Sequence, residues 1–295
     1  MSRAQMALVR QILDAGIDLE TASLEKVRRS FDRLMQLFGG LDVDTQPVEL
    51  PGVDSTPLQA EWVGDPSASS TVLYLHGGGY VIGSPRSHRA LASRLATAAE
   101  ARVLLLDYRL APEHPLPAAS DDAFTAYRWL LDQGDGPLAV AGDSAGGALT
   151  LLLGTRVVAA DLPRPKALAV FSPWADFEAH TPSLLTANDP LLDRDDLLRM
   201  AGEALAGQSP RDPALTPLYA DLTDLPPVLI QVGGDDGLLD DSYDLAARLA
   251  AAGVDATVDT WPYMIHVWHL FAGRLDEGAR ALRQAGVWLK NHLEN

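Results

Sequence analysis

A short apolar run, Leu138-Ala139-Val140-Ala141, passes directly into Gly142-Asp143-Ser144-Ala145-Gly146 and then into Ala- and Leu-rich sequence. A strand that ends in G-x-S-x-G and continues as a helix is the pattern of a nucleophile elbow. In that turn the serine is held in a strained conformation with its Oγ over the sheet edge. A side chain at either flanking glycine would crowd the turn. The pentapeptide alone is common in ordinary loops, so its context decides its meaning. Upstream, His76-Gly77-Gly78-Gly79 follows another apolar run, and consecutive glycines let backbone N–H groups approach a ligand closely.

From residue 72 onward, short apolar runs alternate with longer amphipathic ones, the order that builds a mostly parallel sheet covered by helices. The strand candidates are 72–75, 103–106, 138–141, 168–171, 228–232 and 256–260. Helices are expected near 87–99, 120–131, 145–159, 242–252 and 274–292. Residues 58–63 alternate as a half-buried strand, which allows antiparallel first strands. Two segments break the rhythm. Residues 1–45 read as two amphipathic helices, the second carrying Leu24, Val27, Phe31, Leu34 and Leu37 or Phe38 at helical spacing. Residues 177–222 carry Pro, Asp and Thr breaks around one helix near 195–206. Both are material for a cap, beside a core formed by residues 46–176 and 223–295.

Acyl transfer by serine needs a nucleophile, a base, a carboxylate that orients the base, and donors for the oxyanion. Ser144 supplies the nucleophile. The glycine loop supplies donors, and the N–H of Ala145, at a helix start, adds another favoured by the helix dipole. The base should follow the acid late in the chain, where His266, His269 and His292 lie. His266 follows the 256–260 strand across a short loop that returns it to the carboxyl edge of the sheet. His269 reads as a packing or hydrogen-bonding residue and His292 as solvated surface. The acid should follow the 228–232 strand. Asp240 and Asp241 look like helix caps, which leaves Asp235 and Asp236, and spacing does not separate these two. All the proposed members then sit past the carboxyl ends of parallel strands, where open α/β sheets place their sites.

Composition narrows the class. There is no cysteine, so disulfides and thiolate chemistry are excluded. A formal net charge of −17 disfavours nucleic acid and anionic membranes as partners. The N-terminus shows no secretory signature, and no apolar stretch approaches the roughly 20 residues of a membrane span. A soluble, cytoplasmic protein is expected.

His76-Gly77-Gly78-Gly79-Tyr80, Asp107-Tyr108-Arg109-Leu110-Ala111-Pro112-Glu113-His114-Pro115, Gly142 to Gly147, Ser172-Pro173-Trp174-Ala175-Asp176 and Met264-Ile265-His266-Val267-Trp268 together resemble the hormone-sensitive-lipase-like family of α/β-hydrolase esterases. The resemblance spans residues 72–268. It implies the α/β-hydrolase fold: a mostly parallel eight-stranded sheet flanked by helices, with a helical cap. The family's acid motif falls on Asp236-Gly237-Leu238-Leu239-Asp240-Asp241, which implies Asp236 as the acid, with Asp235 as the fallback. It also implies Gly78, Gly79 and Ala145 as oxyanion donors, and a supporting role for the 107–115 turn with His114 as a structural histidine. Ala148 and Tyr263 depart from the commonest family pattern. The implied activity is carboxylic-ester hydrolysis of short-to-medium acyl esters, with no metal or cofactor and a homodimer as one option. Details around His266 and Asp240-Asp241 also resemble monoterpene ε-lactone hydrolases, which makes lactone hydrolysis the alternative. An amidase or a non-catalytic ligand receptor on this fold is the remaining alternative.

Overall fold

The computed structural model describes residues 2–14, 23–53, 56–134 and 136–295. Among these residues eight strands form one sheet: β1 (Gln46–Leu50), β2 (Leu58–Val63), β3 (Thr71–Leu75), β4 (Arg102–Asp107), β5 (Leu138–Asp143), β6 (Leu168–Phe171), β7 (Val228–Gly233) and β8 (Ala256–Trp261). Their order is β1-β2-β4-β3-β5-β6-β7-β8. The pairs β1–β2 and β2–β4 are antiparallel and the others parallel. This is the α/β-hydrolase arrangement that the resemblance implied.

The helices are α1 (Ser2–Asp14), α2 (Leu24–Gly39), α3 (Pro85–Ala99), α4 (Ala118–Gln133), α5 (Ala145–Ala159), α6 (Pro182–Thr186), α7 (Arg194–Leu205), α8 (Leu239–Ala251) and α9 (Asp276–Leu293). Alternate strand residues sort to opposite faces of the sheet, as a period of two requires. Leu73, Leu75, Leu104 and Leu106 pack with α4, α5 and α8, while Val72, Tyr74, Val103 and Leu105 pack with α3 and α9. The central strands β3 and β5 are buried along their whole length, which explains their continuous apolar runs.

Local chemistry sets several boundaries. Ser84 caps α3, accepting from the Arg86 N–H, while Ser87 reaches back to the Ser84 N–H and Pro85 opens the first turn. Asp193 caps α7 through the N–H groups of Asp195 and Asp196. Among the described residues, no helix is long and apolar enough to cross a membrane.

Three expectations are corrected here. β1 was not located from sequence, because as an edge strand it buries only Leu50 fully and so shows no apolar alternation. His292, expected as solvated surface, is half-buried in the last helix, its ring 4.1 Å from that of Trp288 and tilted by 40° against it. Helix α8 begins at Leu239, so Asp240 and Asp241 lie inside its first turn and do not cap it. Their carboxylates instead reach the segment before and at α6. Asp240 accepts from the Ser183 N–H, and Asp241 accepts from the N–H groups of Ala175 and Asp176.

Candidate active site

Strand β5 ends in a turn that puts Ser144 at φ 52° and ψ −121°, a conformation a non-glycine residue adopts only when its surroundings hold it. The surroundings do so through backbone bonds. The Ser144 N–H donates to the Phe171 carbonyl at 2.9 Å, and its own carbonyl accepts from Trp174 at 3.0 Å and Ala148 at 3.1 Å. The flanking glycines are needed for close approach. A Cβ on Gly142 would lie 2.4 Å from the Gly146 carbonyl oxygen, and one on Gly146 would lie 2.0 Å from that of Leu75.

The loop after β8 brings the His266 Nε2 to 2.9 Å from the Ser144 Oγ. The turn after β7 brings the Asp236 Oδ1 to 3.2 Å from the His266 Nδ1. The same Oδ1 accepts the Leu238 N–H at 2.8 Å, which fixes the carboxylate within its turn. Burial alone would push the His266 pKa down. The facing Asp236 carboxylate, with Asp189 behind it, outweighs burial and holds it above the ordinary histidine value. A raised pKa suits a group that must accept a proton from a hydroxyl and keep it briefly.

The neighbouring aspartate has a different environment. The Asp235 side chain is 42% exposed and pairs with Arg10 of α1 at 3.0 Å. The structure therefore separates Asp235 from Asp236, which spacing did not.

Above Ser144 runs the glycine loop, with φ 121° at Gly78 and 62° at Gly79. The Gly78 carbonyl accepts from both Val81 and Ile82, which curls the loop back. As the first residue of α5, Ala145 has an N–H without an intrahelical acceptor. Support comes from beneath. The Tyr108 hydroxyl donates to the His76 carbonyl at 2.6 Å, and the two rings stack at 4.2 Å. Burial pushes His76 down to about 3, so its neutral ring donates from Nδ1 to the Gly77 carbonyl. Arg28 of α2 adds bonds to the Val81 and Ala111 carbonyls and to the Glu113 carboxylate. The supporting turn is thus in place, but the His114 side chain within it is exposed, not packed as a structural histidine would be.

Sequence reasoning missed several neighbours. Asp143, counted only as the variable residue of the pentapeptide, is buried and accepts from the Tyr74 hydroxyl at 2.8 Å and the Gly77 N–H at 3.1 Å. It also faces the His88 Nε2 at 3.2 Å. Burial pushes its carboxyl up, and His88 and the Tyr74 bond outweigh that and leave it lowered. Asp189 and Ser172 hold the His266 loop through its backbone. Asp143 and Ser172 fall within quoted motifs, but no local pattern reveals what these residues bind, since their partners lie tens of positions away in the chain.

His269 packs as expected. It stacks 4.5 Å from the Phe171 ring, bonds the Gln231 Oε1 at 3.0 Å, and burial pushes it down to about 3. One group among the described residues, Asp176, Glu178 and His180, has the spacing of metal ligands. Its Glu178 carboxylate already binds Arg211 and Tyr219, so the group forms an ion-pair network.

A cavity of about 90 Å³ opens on Ser144 and His266, bounded by Gly77 to Gly79, Phe31, Leu191, Leu197 and Met200. A second, of about 170 Å³, adjoins it and shares Phe31, Ile82, Leu191, Leu192, Leu197 and Met200. Together they form a mostly apolar passage between α2 and α7 down to the serine, with Asp193 and Asp196 in the lining of the second cavity.

A family model described as alpha/beta hydrolase fold matches residues 72–270. The acetyl-hydrolase of Streptomyces hygroscopicus is 43% identical over 295 residues, covering 98% of this chain and 97% of its own. The crystal structure of an esterase from the bacterial hormone-sensitive lipase family superposes with a TM-score of 0.91 at 41% identity, covering 98% of both chains. The esterase EstE5, in a crystal soaked with p-nitrophenyl butyrate, superposes with a TM-score of 0.89 at 38% identity, covering 99% of both chains.

Proposed function

The chain belongs to the α/β-hydrolase fold family, among its hormone-sensitive-lipase-like esterases, and from that membership we propose that it is a carboxylesterase working through Ser144, His266 and Asp236. The observation that carries the reading is the 2.9 Å approach of the Ser144 Oγ to the His266 Nε2, at the floor of an apolar cavity beneath a glycine loop.

Ser144 attacks the ester carbonyl as its proton passes to the His266 Nε2. Asp236 holds the imidazole with Nδ1 protonated and stabilises the imidazolium that forms. The N–H groups of Gly78, Gly79 and Ala145 receive the oxyanion. The tetrahedral intermediate collapses, the alcohol leaves with the proton from Nε2, and Ser144 keeps the acyl group. Water then gives its proton to His266 and attacks the acyl carbon. Collapse of that second intermediate releases the acid and returns the proton to Ser144. No step requires a metal or cofactor.

The walls of the cavity favour a neutral, apolar acyl group of short to medium length, since Phe31 and Met200 narrow the passage above Ser144. Helices α1 and α2 and residues 177–222 serve as the cap, because they contribute Leu13, Phe31, Leu191, Leu192, Leu197 and Met200 to that passage.

The test is a panel of p-nitrophenyl esters from acetate to palmitate, run beside ε-lactones and amides, with Ser144→Ala as the control. The expected result is fastest turnover of the shorter esters and none by the variant. A preference for palmitate overturns the acyl-length reading, and a preference for lactones or amides overturns the substrate class.

A further inference from the structure

We infer that Asp189 is a positioning residue for His266, tying the histidine loop to the segment that covers the site. The inference rests on the reading of Ser144 and His266 as nucleophile and base.

Asp189 belongs to no helix or strand and lies in the 177–222 segment, yet it is only 9% exposed. Its two carboxylate oxygens have separate tasks. Oδ2 accepts the His266 main-chain N–H at 2.7 Å, and Oδ1 accepts the Leu191 N–H at 2.9 Å. One carboxylate thus joins the base to the residue whose side chain walls the cavity.

The histidine loop needs such a restraint. Val267, directly after His266, sits at φ 42° and ψ 47°, a left-handed conformation that β-branched residues rarely adopt. Strain of this kind persists only where neighbours hold it. Two bonds do so on consecutive N–H groups: Asp189 on His266, and the Ser172 Oγ on Val267 at 3.1 Å. Ser172 follows β6 in the core, so Asp189 is the tie that comes from the covering segment.

The cost of placing a carboxylate here argues against a filler. The titratable groups facing it are Asp236 and His266, with Arg10 and Asp235 one residue further out. Arg10 binds both the Asn188 carbonyl and Asp235. Burial and the adjacent Asp236 charge push the Asp189 carboxyl up to about 6. An apolar side chain would avoid that cost. A carboxylate offers two acceptors for two N–H groups and a second negative charge beside the imidazolium. An amide offers one acceptor oxygen only, so Asp189→Asn leaves one of the two N–H groups facing an NH₂.

The experiment compares Asp189→Asn and Asp189→Ala with wild type on p-nitrophenyl acetate across a pH series, with thermal melts of each. Asp195→Asn, an exposed carboxylate on the same segment, is the control expected to match wild type. We expect Asp189→Asn to lower kcat roughly 10- to 100-fold, the scale of a small misplacement of a reacting group. KM should change by less than about threefold, since the lost interaction orients the base and does not bind substrate. The acid limb of kcat/KM should move to lower pH, because a charge that helps His266 hold its proton is gone. If Asp189→Ala does not fold, Asp189→Asn decides alone. The inference is overturned if folded Asp189→Asn keeps wild-type kcat, if only KM rises, or if the acid limb stays in place. Failure of the underlying reading looks different, because Ser144→Ala would then retain activity.

Discussion

Asp235 and Asp236 are neighbours in one turn after β7, yet their carboxylates meet different parts of the chain. Asp235 is claimed by Arg10, 225 positions away, and Asp236 by His266. That division was not legible in the sequence, because it depends on where α1 docks. The elbow was legible, since its glycines answer to close contacts within a few residues of Ser144 and with β3. Substitutions should follow the partners. Ser144→Ala should lower kcat by roughly 10⁶ and Asp236→Asn by roughly 10⁴, whereas Asp235→Asn should stay within about threefold of wild type. Steady-state kinetics on one short ester decide this, and a larger loss from Asp235→Asn refutes the assignment of the acid. The pH profile belongs to the same residues. His266 must be neutral to accept the Ser144 proton, and its pKa is held above the ordinary value of about 6.5. Acidification should therefore abolish kcat/KM with a midpoint above that value, and a midpoint below it contradicts the electrostatics.

Helices and strands with a buried apolar face were read nearly to the residue, because their periodicity records what they pack against. The α5 bounds and those of β6 match expectation, whereas β1 and the start of α8 do not. In β1 most side chains face solvent. In α8 the first-turn aspartates serve another segment, so a capping pattern misleads. Asp241 has consequences for stability as well as boundaries. Burial and the adjacent Asp176 charge push its carboxyl up to about 8, so at neutral pH the folded chain holds a proton there that the unfolded chain releases. A pKa raised on folding gives stability that is present at low pH and lost as pH rises through the folded value. The melting temperature of Asp241→Asn minus that of wild type should therefore increase between about pH 4 and pH 8, and a flat difference rules this out. Helix α7 bears on specificity. Its Met200 Sδ would lie 2.3 Å from a Cβ on Gly79, so this side chain packs directly on the glycine loop. Met200→Ala should raise the kcat/KM ratio of hexanoate to acetate esters by roughly tenfold, within the range that added methylene contacts supply. An unchanged ratio would place the acyl chain elsewhere.

Taken together, the sheet brings three loops from the ends of β5, β7 and β8 to one edge, and residues of the chain's first helices and of the 177–222 segment line the cavities there. The alternation of apolar runs made the sheet readable, and motif order made the loops readable. The covering segments were readable only as departures from that rhythm, because their residues answer to each other and to the site, not to a period. That is why the sequence points clearly to the reaction and only loosely to the acyl group. A net charge of −17 leaves the surface acidic, and the mostly apolar passage to Ser144 carries carboxylates and no cation among the described residues of its lining, a combination suited to neutral esters. The central claim is that Ser144 carries the acyl group during turnover. Rapid acid quench of the enzyme with p-nitrophenyl acetate, followed by peptide mass mapping, tests it most directly. The account predicts one acetyl group per chain on the peptide containing Ser144, a matching burst of p-nitrophenol, and neither in Ser144→Ala. Acetyl on another residue, or steady turnover by Ser144→Ala, would contradict it.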